Sequence, residues 1–197
     1  MSEAGEATRG RIEAAALRLF VEQGVDATGI RDIAQAVGLS DGALYRHFRS
    51  KDELVWRLFR DGFTALAAEL ERLAVTERRA INRIEAMVRG FCALYDADSL
   101  LFRFLLLVQH GQLARVKPGM ANPVESVRAV VAGGMKRGEI APGDPDLATA
   151  MVMGLILQTA TFKVYGRIAK PMGALAPALA EACRRVLGTG GGRKTRT

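Results

Sequence analysis

TGIRDIAQAVGLSDGALYRHFRSKDE, residues 28–53, is the stretch whose reading decides the fold. It reads as two short helices about a glycine turn, followed by the first turn of a longer one. Thr28 is a good N-cap for a helix whose inner face is Ile30, Ile33, Ala34 and Val37, and Gly38 ends it. Ser40 caps the next helix, with Leu44 and Phe48 turned inward, and Ser50 with Glu53 forms a capping box for the helix after that. A small residue at position 34 lets the two short helices cross closely, Gly38 supplies a positive backbone angle, and Leu39 and Leu44 pin the second helix. That spacing fits a helix-turn-helix; a plain helical hairpin within a bundle is the alternative. In the first reading Ser40, Asp41, Gly42, Ala43, Tyr45, Arg46 and His47 surround an exposed N-terminal half of the kind that enters a major groove.

Outward from this stretch the periodicity stays helical. Ile12, Ala15, Ala16, Leu19 and Phe20 form one apolar stripe over 8–23, stopped by Gly24. A long fourth helix over 51–74 carries Leu54, Leu58, Phe59, Phe63, Leu66, Leu70 and Leu73 in register, and a fifth is expected over 77–95. The run 100–115 is apolar almost all round and reads as a central helix. Pro118 and Pro123 bracket a break before a seventh helix over 123–137. Asp144-Pro145-Asp146 is a strong start signal for an eighth, an N-cap with proline in the first helical position. The ninth lies between 171 and 187, where Pro177 marks either its start or a kink. The fold class is all-α, about nine helices, a three-helix head and a larger helical body.

Composition agrees and excludes. With 49% hydrophobic and 25% charged residues the chain is globular rather than disordered. The net charge of +7 suggests a polyanionic partner. Yet up to Glu53 seven basic side chains face nine acidic ones, so the head is basic only locally, at Arg46, His47, Arg49 and Lys51. No apolar signal core opens the chain, which points to the cytoplasm, and the apolar tract 147–162 falls short of the roughly 20 residues of a membrane span, so it reads as a helix buried against protein. His47 and His110 are the only histidines, and no nucleophile-base spacing, phosphate loop or metal-ligand cluster accompanies them. The reading is therefore no enzyme, no cofactor and no metal. Cys92 and Cys183, far apart among apolar neighbours, read as buried reduced thiols.

GLSDGALYRHFRSKDEL, preceded at this separation by TGIRDIA, resembles the DNA-binding head of the tetracycline-repressor (TetR) family of bacterial transcription regulators. The resemblance is specific over about 8–58; beyond it only the layout of helices is similar. It implies a helix-turn-helix domain over 7–55 with its motif at about 29–48 and an effector-binding and dimerisation domain over 56–188; the glycine-rich, basic composition of the last residues separately reads as a disordered tail over 189–197. The resemblance further implies that Thr28, Tyr45 and Lys51 contact backbone phosphates of double-stranded operator DNA, with His47 near them, and that Ser40, Asp41, Gly42, Ala43 and Arg46 face base edges. Two residues depart from the pattern. Gly29 stands where many members carry serine or threonine, and Asp41 places an acid on the reading helix, where it suits the first turn's dipole.

In this family helices like the eighth and ninth pair with those of a second copy, which implies a homodimer that spaces two reading helices about 34 Å apart. Small residues Ala148, Ala150, Gly154 and Ala160 on the eighth helix fit such an approach. An effector pocket would then lie among the middle helices, with Met87, Phe91, Phe102, Met153 and Phe162 as walls and Gln109, His110 and Gln158 as polar contacts. Its apolar bias suits a small hydrophobic or aromatic molecule. The function so implied is a ligand-released repressor; a helical protein-interaction module without DNA binding is the alternative.

Overall fold

Four of the helix starts in this chain are fixed by a polar side chain a few residues from the amides it accepts from. The computed structural model describes residues 3–188 and shows this directly. Among them are nine α-helices and no β-strand: α1 (Glu3–Gln23), α2 (Ile30–Ala36), α3 (Asp41–Tyr45), α4 (Lys51–Val75), α5 (Ala80–Ala97), α6 (Ser99–Gln112), α7 (Pro123–Lys136), α8 (Pro145–Val164) and α9 (Met172–Leu187). A 3-10 turn, Leu113–Arg115, follows α6. The expected tail, 189–197, lies outside the described residues.

Asp144 accepts from the amides of Asp146 and Leu147 at 2.8 and 3.4 Å, with Pro145 in the first turn as expected. Asn122 does the same for Val124 ahead of Pro123. Ser50 accepts from Glu53 N at 3.0 Å, while the Glu53 carboxylate reaches one residue further back than a standard capping box, to Arg49 N at 2.7 Å. α1 starts earlier than its apolar stripe suggests, and α5 starts at Ala80 because Arg79 is extended, with φ −86° and ψ 141°. Pro177 lies inside α9, so it marks neither the start nor the end of that helix.

By packing, the chain forms two compact units. One comprises the described residues up to Gly62 together with Ser99–Pro118; the other comprises Phe63–Asp98 and the described residues from Gly119 onward. In the first, α1, α2, α3, the start of α4 and α6 enclose Ile12, Ala16, Phe20, Ile33, Leu44, Phe48, Leu54, Phe59 and Phe104, all at 1% exposure or less. Phe20 and Phe104 stack with ring centroids 5.9 Å apart, which joins α6 to α1. Each large side chain among them contributes about 1.5–3 kcal/mol on burial. Polar clamps lie around this core. Arg57 of α4 pairs with Glu13 of α1 at 2.6 Å, and Arg115 holds Asp52 at 3.0 Å with its guanidinium 4.6 Å from the Trp56 ring centre.

In the second unit α5 packs most extensively on α9, and the core includes Ile84, Val88, Tyr95, Val131, Ile140, Val152, Ala160, Met172 and Leu187. Gly134 lets α7 approach α5: a Cβ there would sit 2.6 Å from the Ala80 Cβ and 2.7 Å from Ile140 Cδ1. Cys92 and Cys183 are buried and free, as expected, and burial pushes both thiols up to about 11, Asp96 adding to the effect at Cys92. Two helices of this unit are capped from a distance. Asp96 accepts from Met172 N and Gly173 N at 2.9 and 2.7 Å at the start of α9, and Glu139 accepts from Ala80 N at the start of α5.

α8 corrects one expectation. It is 20 residues long, enough by length and composition to cross a membrane, and only 22% of its most apolar stretch is buried. Thr149, Val152, Ile156 and Ala160 face the unit's core, while Leu147, Met151 and Phe162 stand exposed. It is therefore not a helix buried on all sides by its own chain.

Candidate nucleic-acid interface

The two short helices are held to each other by backbone and to α1 by arginine. α2 ends at a turn in which Gly38 has φ +69°, a value that only glycine adopts without strain, and Leu39 N returns to Ala34 O at 2.9 Å. Ser40 then accepts from Ala43 N at 3.2 Å and starts α3 as expected. Leu44 and Phe48, at 0% and 1% exposure, are core. α3 itself is only five residues, so Arg46 and His47 follow it in a turn rather than extending the helix.

The residues expected to face DNA differ in exposure. Ser40, Gly42, Tyr45 and Arg46 are exposed, Asp41, Ala43 and His47 are half-buried, and Tyr45 exposes 52% of its surface. Arg46 has no hydrogen bond or ion pair among the described residues, so its five donors are available to an incoming group. Asp41 pairs with Arg31 of α2 at 3.1 Å. Both partners are solvated, so the pair contributes little stability, but it counters the acid's charge on that face.

Two residues taken for phosphate contacts face inward instead. Thr28 is fully buried, and its hydroxyl donates to Gly24 O at 2.8 Å and Leu19 O at 3.3 Å, closing the end of α1. The N-cap of α2 is accordingly Gly29, not Thr28, and Asp32 reaches back to Gly29 N at 2.7 Å. The reason is polar: the hydroxyl finds carbonyl partners in the last turns of α1 and just after it. Lys51 Nζ donates to Val25 O at 2.8 Å, Thr28 O at 3.0 Å and, more weakly, Asp26 O at 3.4 Å.

Three arginines matter here that sequence reasoning did not single out. Arg9 donates to His47 O at 3.0 Å and lies 5.3 Å from the Phe48 ring centre, and Arg11 donates to Val37 O at 2.7 Å. From one turn of α1 they hold the ends of α3 and α2. Arg31 is the third. The only signal was their place, two arginines immediately before the apolar stripe that starts at Ile12.

The expected effector residues fall in both units. Met87 and Phe91 are buried a turn apart on α5, and Met153 is half-buried on α8. Gln158 and Phe162 line an open groove of 570 Å³ on α8 and α9 with Met151, Leu155, Ile168 and Val186. Phe102 is buried in the other unit, where Gln109 donates to Leu106 O at 3.4 Å and His110 is exposed. Among the described residues no cluster of three or more His, Cys, Asp or Glu side chains is placed to hold a metal.

The family profile described as bacterial regulatory proteins, tetR family, matches residues 12–58, the segment whose geometry has just been given. Residues 12–58 thus carry the pattern of a tetR-family head. Its head is similar to that of the HTH-type transcriptional repressor KstR2 of Mycobacterium tuberculosis, at 34% identity over 89 residues, which are 45% of this chain and 43% of that one. The match thus spans less than half of this relative's length. A regulatory protein of the tetR family from Rhodococcus RHA1 has the same fold, with a TM-score of 0.78 at 20% identity over 96% of this chain and 99% of that one. So has FadR of Bacillus subtilis, solved in complex with stearoyl-CoA, with a TM-score of 0.72 at 21% identity over 88% and 96%.

Proposed function

We propose that the chain is a DNA-binding transcription regulator of the tetR family, a cytoplasmic homodimer that represses and is released from its operator by a small apolar effector. The observation that carries the reading is the head: a short α3 presenting Ser40, Asp41, Gly42, Ala43, Tyr45 and Arg46 outward over a core of Leu44 and Phe48, within the segment that matches the family profile. Arginine beside small residues suits guanine in a major groove, because its planar fork meets two acceptors at once. The division into a DNA-binding domain over 7–55 and an effector and dimerisation domain over 56–188 belongs to this reading.

The exposed apolar face of α8 and α9 supports the dimer. Met151, Leu155, Phe162 and Val186 line an open groove, and Gly154 there leaves room for another helix. A contiguous apolar face of this kind is seldom left in water. The effector is proposed as mostly apolar from the residues Met87, Phe91, Phe102, Met153 and Phe162, with Gln109, His110 and Gln158 as polar contacts; the fold likeness to a FadR that holds stearoyl-CoA supports a long apolar ligand.

Fluorescence anisotropy with the DNA flanking the chain's own gene tests the reading. Binding is expected to be sequence-selective and to weaken steeply with salt. Absence of selectivity at moderate salt would instead favour an interaction module. Arg46→Ala is expected to cost about 1–3 kcal/mol and to relax preference at one base position.

A further inference from the structure

We propose that Lys51 is a positioning residue for DNA recognition, an internal cation that fixes where α2 begins, rather than a contact to phosphate. The inference rests on the DNA-binding reading above. An ammonium has three donors and no acceptor. Three carbonyls of one loop converge on it, those of Val25, Asp26 and Thr28, at 2.8, 3.4 and 3.0 Å. Its donors are thus directed into the protein.

Thr28 closes the same loop from the other side. Its buried hydroxyl donates to Gly24 O and Leu19 O, so two side chains together hold four carbonyls of the segment before α2 and one at the end of α1. Gly29 brings no side chain to cap α2, whose first residue is Ile30. The start of α2 is therefore set by the Asp32 bond to Gly29 N together with whatever holds residue 28, and α3 follows α2 through the Gly38 turn. The base of the clamp is also fixed, because α4 buries Leu54 and Val55 one turn beyond Lys51. A cation in the first turn of a helix is opposed by the helix dipole. Here the loop carbonyls supply the negative ends that offset it.

Arginine separates the two roles. Its planar fork binds phosphate at least as well as lysine does, but it does not converge three donors on a point. The probes are a duplex enriched from a randomised pool by the wild-type chain and a scrambled duplex of equal length. For Lys51→Arg the ratio of the two affinities is expected to fall about fivefold or more, the loss one mismatched base pair brings at its low end. Amide exchange across α2 of the DNA-free protein is expected to rise. Lys51→Met, of similar length without donors, is expected to show the same pattern; should it not fold, Lys51→Gln takes its place.

Lys51→Arg binding both duplexes as tightly as wild type, with exchange in α2 unchanged, overturns the proposal. So does an equal fall in both affinities, which a merely structural residue would give. If the wild-type chain enriches no sequence, the DNA-binding reading fails on its own account. Exchange in α2 of Lys51→Arg then decides the clamp: faster exchange supports it and unchanged exchange ends it.

Discussion

α9 begins behind Pro171, which offers its amides no side-chain acceptor, and the acceptor comes from α5 instead. Asp96→Ala removes both bonds, from Met172 N at 2.9 Å and Gly173 N at 2.7 Å. Losing a helix cap costs about 0.5–2 kcal/mol, and a hydrogen bond to a charged acceptor contributes about 1.5–3 kcal/mol. The two figures overlap, since the cap is the hydrogen bond. The Met172 amide is part-buried and loses its partner outright, whereas water replaces much of the exposed bond to Gly173. The net cost is about 2–3 kcal/mol. For a chain of this length each kcal/mol lowers Tm by about 2–4 °C, so a fall of about 5–10 °C is expected by calorimetry at neutral pH. Asp96→Asn keeps one oxygen and should lose about half as much. Gly173→Ala gives an independent check, because its Cβ would lie 3.2 Å from Asp96 Oδ2. Helix propensity alone makes that substitution stabilising by about 1 kcal/mol, whereas crowding of the cap removes the gain. An Asp96→Ala protein melting within about 1 °C of wild type would refute the cap, given the 2–4 °C expected for each kcal/mol lost.

Glu139 is held below its usual pKa of 4.5 by its bond from the Ala80 amide and by Arg137. Such a group stabilises above its unfolded pKa, and that stability is lost as pH falls through the lower folded value. Wild type should therefore lose Tm more steeply than Glu139→Gln as pH is taken below about 4.5, and parallel curves would deny the cap. Gly134→Ala places a methyl 2.6 Å from the Ala80 Cβ and is expected to cost about 1–3 kcal/mol in urea unfolding, despite alanine's better helix propensity. Leu44→Ala, at a fully buried site, is expected to cost about 2–5 kcal/mol and to abolish selective DNA binding. Met151→Glu combined with Phe162→Glu puts charge on the exposed groove; sedimentation should then show a monomer, and a retained dimer would place the interface elsewhere.

Much of the head was legible because its determinants are short-range. The glycine turn at Gly38, the Ser40 cap and the inward Leu44 and Phe48 each depend on neighbours within a few residues, and each was found where the pattern puts it. Thr28 shows where such reasoning fails. A threonine at the mouth of a helix caps forward or backward with equal local chemistry, and only the path of the α1–α2 loop turned it back toward Gly24 and Leu19. The effector residues were less legible for another reason. Methionine and phenylalanine at helical spacing mark an apolar face without saying whether a core, a ligand or a second copy covers it.

The sequence by itself determined the helices, their caps at Asp144, Ser40 and Ser50, and the family of the head, because each is written within about one helical turn of the residues it governs. Only the tertiary structure decided that α6 joins the unit of the head through Phe104 on Phe20, and that Asp96 caps α9, Glu139 caps α5 and Arg9 closes the end of α3. It also turned Lys51 inward. These contacts join residues 23 to 77 positions apart in the chain, apart from Phe104 and Phe20. A carboxylate or an ammonium is compatible with water, phosphate or a distant carbonyl alike. Which one it meets is settled by the fold that brings the carbonyl within 3 Å.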